Sequence, residues 1–357
     1  MFLRNAWYVA AWADEVTDTA PLGRTYLGDD VVLFRRADGT AVALEDRCCH
    51  RGLPLSLGKI VGGDLECGYH GLVYDGDGRC VRVPGQQKIP PGSQRRVYPV
   101  VERWRALWIW MGEPSLADQS VIPALYWMDH PDWRARSGRL DIACTQQLIV
   151  DNVLDLTHLS YVHAGSFGTL AISEAPARYE RIGGRIGERI GERVRVTRWI
   201  LDSPPPPVMR RQGGMDGQID RRQLIHFLPP GVVTIEGFFG AADATLDTRA
   251  EPGEGIRICN LNALTPVDDE RTLHFFAQAQ SFAIDSPETT EQLFQEVYNT
   301  FLEDIEVLET QHRVLARRPD TPLIDINADA GALEGRRIME RLLAAEAAQS
   351  GARARPA

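Results

Sequence analysis

Two short clusters restrict this chain more than anything else in it: Cys48-Cys49-His50 and Cys67-Gly68-Tyr69-His70, separated by sixteen residues (51–66). Read as ligands they are Cys-x-His and Cys-x-x-His, so each supplies one thiolate and one imidazole. Two thiolates on one iron and two imidazoles on the other make a [2Fe–2S] centre that accepts an electron more easily than an all-thiolate one. A structural zinc site also takes two Cys and two His, but its spacing pairs Cys with Cys and His with His. Here both pairs are mixed, which favours iron–sulfur. Gly52, Pro54, Gly68 and Gly71 permit tight turns whose backbone N–H groups can point at sulfur. Such a chain carries electrons, or is an enzyme supplied with them.

At 357 residues there is room for two domains and a sizeable core. No apolar run approaches the roughly 18 residues that span a bilayer. The start, Met1-Phe2-Leu3-Arg4-Asn5-Ala6-Trp7, lacks the basic and apolar regions of a secretory signal. Beyond Cys48 and Cys67, four cysteines (Cys49, Cys80, Cys144 and Cys259) are scattered and read as free thiols. A cytoplasmic location is therefore expected, with no membrane partner. A formal net charge of −10 argues against a nucleic-acid surface.

The first third alternates short apolar and polar runs with glycine and proline turns, as in Val31–Phe34, Ala41–Leu44 and Leu107–Trp110. This predicts a small all-β domain holding the cluster on two loops, with a linker at Gly112–Asp118. Asp151–Tyr161 reads as a helix. Strands return from about Tyr179 to Phe282, including Arg193–Val196, Val232–Ile235 and Leu273–Phe276, and a long helix follows from about Pro287 to Arg317. The Gly-rich tetrad repeat Arg181–Glu192 speaks against helix, and Pro204–Pro207 reads as a stiff extended connector.

The segment Asp151–His163 is dense in ligand-type side chains. Asn152, Asp155 and His158 step by three and share one stripe of a helix. His163 lies five beyond His158, about 140° around an ideal axis, so both reach one ion only if the helix loosens or ends between them. A third ligand should be a carboxylate. On the long helix Val297, Phe301, Asp304 and Leu308 share a face, while Glu303 and Glu306 point away from it. A carboxylate on an apolar face is costly to bury unless paired or bound to metal. Two His and Asp304 then form the facial triad of a non-haem Fe(II) oxygenase.

Over nearly its whole length the chain resembles the oxygenase component of a Rieske non-haem iron oxygenase. Cys48-x-His50-Arg51-Gly52 and Cys67-x-x-His70-Gly71 match the cluster domain. Asn152-x-x-Asp155-x-x-His158-x-x-x-x-His163 and Phe301-x-Glu303-Asp304 match the iron site. Asn5–Ala10, Val83–Gln86 and Asp155–His158 resemble the branch containing vanillate O-demethylase and the dicamba and toluenesulfonate monooxygenases.

The resemblance implies an α+β chain: an all-β Rieske domain (1–115), a helix-grip-like catalytic domain with an antiparallel sheet and long helices (116–345), and a flexible tail (346–357). It implies a Rieske [2Fe–2S] cluster on Cys48, His50, Cys67 and His70, and mononuclear Fe(II) on His158, His163 and Asp304. Asp155 would link a cluster histidine of a neighbouring subunit to His158 in a homotrimer, and Asn152 would lie near the iron without ligating it. The implied reaction is monooxygenation of a methoxy or methyl group of an aromatic acid with O2, giving a phenol and formaldehyde or a benzylic alcohol. The chain has no Gly-x-Gly-x-x-Gly fingerprint, so a separate reductase is expected to pass on electrons from NAD(P)H. Two alternatives are a ring-hydroxylating dioxygenase, with the same two metal sites, and a Rieske electron carrier, which would need only the first third of the chain.

Overall fold

A computed structural model describes residues 1–353 apart from 184, 187 and 188; of 185, 186, 189, 190 and 350–353 it describes the backbone. Two compact units divide the chain, Met1–Ile122 with Thr265–Asp268, and Pro123–Leu264 with Asp269–Ala357. Among the described residues no helix is long and apolar enough to cross a membrane.

The first unit is all-β. One four-stranded sheet joins Leu22–Tyr26, Asp29–Arg35, Ala41–Glu45 and Val97–Tyr98, and a three-stranded sheet sets Ala106–Trp110 between Trp7–Trp12 and Val100–Arg103. A second four-stranded sheet, Lys59–Val61, Asp64–Glu66, Val73–Tyr74 and Cys80–Arg82, consists of short hairpins. Its apolar residues Leu65 and Tyr74 pack with Phe34, Leu44 and Leu55, and Cys48 and Cys67 belong to the same core. The stretch expected to be a linker, Gly112–Asp118, is instead tied into this unit. The Trp7 and Trp110 indoles donate to the carbonyls of Asp118 and Glu113, and Glu113 N–H donates to Asn5 Oδ1. Buried indole N–H groups need acceptors, and this segment supplies them.

The second unit is built on seven antiparallel strands: β1 (Arg134–Ile142), β2 (Ala177–Ile182), β3 (Arg193–Ser203), β4 (Ile219–Leu228), β5 (Val232–Ala241), β6 (Ile256–Pro266) and β7 (Thr272–Gln280). Their order is β1-β7-β6-β5-β4-β3-β2, so β4 to β7 form a meander with β1 closing one edge. Period-two burial along β3, with Val194, Val196, Arg198 and Ile200 inside, shows one face turned to the core. Among the described residues five α-helices, α1 (Gln146–Leu154), α2 (Leu170–Glu174), α3 (Pro207–Gly213), α4 (Pro287–Arg317) and α5 (Ala330–Arg353), accompany the sheet. The architecture is the α+β one expected, an all-β domain followed by an antiparallel sheet with long helices.

α4 has the bounds that its sequence pattern predicts. Ser286 Oγ accepts from Thr289 N–H, Pro287 occupies the first position, and Leu293, Val297, Asp304 and Leu308 form the buried stripe. Three local expectations change. The helix expected over Asp151–Tyr161 starts earlier, at Gln146, and breaks at Asp155 (φ −114°, ψ 95°); a 3-10 turn over Leu156–Ser160 follows. The break arises because the Asp155 carboxylate caps the new turn, accepting from Thr157 N–H at 2.9 Å. Pro207 opens α3 rather than ending a connector, since proline suits a first helical position. The backbone from 346 to 353 continues α5, as an alanine-rich run (Ala344, Ala345, Ala347, Ala348) favours; 354–357 lie outside the described residues. So do parts of the Arg181–Glu192 repeat.

Candidate metal centres and their cavity

In the first unit the two cluster loops are built alike. Cys48 N–H donates to Leu53 O and Gly52 N–H to Cys48 O; Cys67 N–H donates to Leu72 O and Gly71 N–H to Cys67 O. Gly52 (φ 72°) and Gly71 (φ 68°) hold the left-handed position that closes each turn. In each loop two successive N–H groups are thereby aimed at sulfur: those of His50 and Arg51 at Cys48, those of Tyr69 and His70 at Cys67. Such donors favour thiolate ligands. The two cysteines are buried and hydrogen-bonded to each other, whereas His50 and His70 are exposed with ring centroids 4.4 Å apart. Sulfurs face inward and imidazoles outward, the separation that two thiolates on one iron and two histidines on the other require.

Tyr74 carries no signal of its own in the sequence. Its hydroxyl donates to Cys49 Sγ at 3.0 Å, lies 3.4 Å from Cys48 Sγ and accepts from Cys49 N–H at 3.1 Å. Burial and the neighbouring thiols push its pKa far up, so it stays a donor. Asp46 anchors the base of the first loop by accepting from Ser56 N–H at 2.7 Å and Ser56 Oγ at 2.6 Å.

In the second unit His158, His163 and Asp304 come together with one potential ligand atom each, all within 4.8 Å. His158 sits on the 3-10 turn. Beyond Ser160, Val162 N–H donates to His158 O and His163 N–H to Leu159 O, so one further turn carries His163 round to meet His158. The chain then folds back, with Gly168 N–H donating to His163 O at 2.9 Å. A Cβ on Gly168 would lie 1.9 Å from the Leu159 carbonyl oxygen, so only glycine fits this return. Asp304 projects from α4, as its place on the apolar face implied.

Both imidazoles are held from behind. His158 Nδ1 lies 2.5 Å from the main-chain O of Asp155, and His163 Nδ1 lies 2.6 Å from Glu303 Oε2. The Nε2 atoms face Asp304 Oδ1 at 3.6 and 3.0 Å. A proton on each Nδ1 leaves each Nε2 lone pair free for a metal. Asn152 Nδ2 donates to Asp304 Oδ1 at 3.2 Å. Glu303 was expected to point away; its backbone does, but the long side chain curls back to His163. Asp155 contacts His158 through its carbonyl, while its carboxylate takes Thr157 N–H and Oγ1.

The electrostatics follow the burial. Desolvation lowers the His158 pKa and the Asp304 charge only partly offsets it. For His163, burial is outweighed by the Asp304 and Glu303 carboxylates, and its pKa is raised. A buried carboxylate against two imidazoles with aligned lone pairs fits a divalent first-row ion that accepts N and O donors, Fe(II) among them.

A cavity of about 850 Å³, counting its open mouth, adjoins the three side chains. Val153, Leu156, Phe167, Phe239, Val297 and Phe301 give it apolar walls, and Asn260, Asn262, Gln278 and Arg221 bring polar groups. Its apolar lining with a few polar groups suits a small organic substrate.

Comparison with known proteins agrees with this geometry. Residues 6–99 match the Rieske [2Fe-2S] domain family, and residues 142–345 match the vanillate O-demethylase oxygenase C-terminal domain. The chain is 37% identical to the toluene-4-sulfonate monooxygenase system iron-sulfur subunit of Comamonas testosteroni, over 97% of this chain and 98% of that one. It is 38% identical to a vanillate O-demethylase oxygenase subunit of a Pseudomonas species, over 97% and 96%. Among solved structures it is similar to dicamba monooxygenase bound to 3,6-dichlorosalicylic acid, with a TM-score of 0.87, 32% identity, and coverage of 97% of this chain and 99% of that one.

Proposed function

The chain belongs to the Rieske oxygenases of the vanillate O-demethylase type, as an oxygenase component, and from that premise we propose that it oxidises a methoxy or methyl group of an aromatic acid. One oxygen atom of O2 enters a methyl C–H bond, and two electrons and two protons take the other to water. From a methoxy group this gives a hemiacetal that collapses to a phenol and formaldehyde; from an aryl methyl group it gives a benzylic alcohol. A separate reductase supplies the electrons from NAD(P)H. The observation that carries the reading is His158, His163 and Asp304 converging beside an apolar cavity, in a chain whose other unit bears the two mixed Cys/His loops.

In this reading Cys48, His50, Cys67 and His70 hold the cluster, and His158, His163 and Asp304 hold mononuclear Fe(II). Iron bound there supplies oxygen activation with an electron from the cluster. The protein's own groups prepare that chemistry. Asp155 O and Glu303 fix the imidazole tautomers, Asn152 steadies Asp304, and Phe167, Phe239 and Phe301 keep water from the reacting methyl group.

The reading includes a homotrimer in a cytoplasmic setting, with Asp155 as the link: its main-chain O holds His158, and its carboxylate reaches a cluster histidine of the next subunit. Asp155→Asn is then expected to load both metal sites normally yet almost stop turnover; wild-type rates at normal iron content would sink the bridge. The activity itself is tested by a single turnover. Iron-loaded protein is reduced chemically and mixed with O2 and methoxy- or methyl-substituted aromatic acids, with products read by mass spectrometry and a formaldehyde assay. Three irons per chain with formaldehyde and a phenol, or with a benzylic alcohol, are expected. Two irons per chain and no product would reduce the chain to an electron carrier.

A further inference from the structure

Arg221 is a buried cation that the iron chemistry does not use. It stands in the middle of β4, 2% exposed, and lines the cavity beside the three converging ligands. The register shows which way it points. Arg221 pairs with Ile200 on β3 and Phe239 on β5, and residues directly opposite share a face of a sheet. Phe239 and, two residues along, Gln223 and Gly237 line the same cavity. The next residue, Arg222, pairs with Trp199 and Phe238; it too borders the cavity, so the two arginines are told apart by their partners.

The two arginines differ in what neutralises them. Arg222 has Glu236 at 2.6 Å and Glu251 at 2.8 Å, and its guanidinium carbon lies 6.0 Å from the Trp199 ring centroid. Among the described residues Arg221 forms no ion pair. Its Nη2 donates to Thr169 Oγ1, and its Nε, fully buried, finds no acceptor. Burial alone pulls its pKa down, to about 10, so it remains charged at neutral pH. A buried charge without a counter-ion is costly, and removing the charge should help the fold unless a ligand supplies the partner. The acid in the cavity wall, Asp304, is already engaged by His163 and Asn152.

We infer that Arg221 is the counter-ion for the anionic headgroup of the substrate, an arene carboxylate or sulfonate, and that it selects acids over neutral arenes. A guanidinium matches both headgroups because it offers parallel N–H donors to two oxygens. The headgroup binds Arg221 while the ring lies among Phe239, Ile258 and Ile235, with its substituent turned toward His158, His163 and Asp304. The inference rests on the proposed oxidation of aromatic acids, and its test separates the two.

Iron-loaded wild type, Arg221→Met and Arg221→Lys would be titrated anaerobically in a calorimeter with 4-methoxybenzoate, 4-toluenesulfonate and neutral 4-methoxybenzamide. Thermal unfolding and single turnover would be recorded for each protein. Arg221→Met is expected to lose about 10- to 100-fold in affinity for the anions, as for a charge-assisted hydrogen bond. It should change amide affinity less than about threefold, with Arg221→Lys recovering much of the anion binding. Arg221→Met should unfold at the wild-type temperature or above it. The stronger-binding anion names the headgroup. Equal losses for anions and amide, no loss for either anion, or no anion binding to wild type would each overturn the assignment. If anion binding depends on Arg221 but no probe is oxidised, the counter-ion stands and the methyl-oxidation reading fails. If probes are oxidised without regard to charge, the reverse holds.

Discussion

Two side chains that the sequence patterns left unassigned carry much of the tuning at the residue scale. Glu303 holds His163 Nδ1 at 2.6 Å, an outer partner of the type that orients metal-ligating histidines. Replacing it with Ala should weaken iron binding at this site by about 10- to 100-fold, with the cluster's visible spectrum unchanged. Metal titration of chelator-stripped protein measures this, and unchanged affinity would make Glu303 a bystander. Tyr74 places a hydroxyl between two sulfurs. A cluster-bound Cys48 is a thiolate and can only accept, so the hydroxyl 3.4 Å away becomes its donor. Tyr74→Phe removes that donor, and the cluster potential should fall, by roughly 40 mV for each kcal/mol of hydrogen bonding lost. Electrochemistry would show it; a rise in potential would contradict the assigned donor direction. Sequence patterns missed both residues for a physical reason. Glu303 lies on the solvent side of α4 by periodicity, and its contact depends on a flexible side chain returning past the helix edge. The spacing of neither loop says which sulfurs the Tyr74 hydroxyl meets. Asp304 was legible because an acid interrupting an apolar stripe is too costly to bury without a cation or a metal beside it.

At the scale of elements, the ligand-bearing segment is not the continuous helix that its spacing suggests. Asp155 ends one helix and caps the next turn, which redirects His158, and the fold-back closed by Gly168 brings in His163. Gly168→Ala should therefore disturb the mononuclear site while the cluster loops keep their form, because its Cβ would collide with the Leu159 carbonyl. Expected are a lower unfolding temperature and iron content falling from three to two per chain; full iron loading would show that the loop can yield. α4, by contrast, was legible to its ends, since Pro287, the Ser286 cap and a regular apolar stripe all agree. The break at Asp155 was not, because an Asx cap and a mid-helix aspartate look the same in one dimension.

For the whole molecule, the second unit's sheet holds one histidine fully buried, His274, and another half-buried, His226. His226 on β4 is held down to about 4, by burial first and then by Arg195, Arg193 and Arg222. Its folded-state pKa lies below the ordinary 6.5, so the unfolded chain takes the proton first. The stability it contributes is complete above about pH 6.5 and is lost as the pH falls toward 4. Denaturant titrations across that window should show stability falling, with His226 contributing up to about 1.4 kcal/mol per pH unit. His226→Asn should reduce that slope, and an identical slope would place the acid sensitivity elsewhere, for instance in fully buried His274, held down to about 3. By itself the sequence determined the chemistry on offer: two mixed Cys/His loops, a stripe of metal-binding side chains and an acid on an apolar face. Ligand type, spacing and hydrophobic period are local properties, and local properties survive in one dimension. Only the tertiary structure decided that Arg222 meets Glu236 and Glu251 while Arg221 borders the cavity with no acid beside it, that Glu303 reaches His163, and how His158 and His163 come to share a point. Each depends on strand register, a helix break or a long side chain's path, and so on residues distant in sequence being brought within a few ångströms.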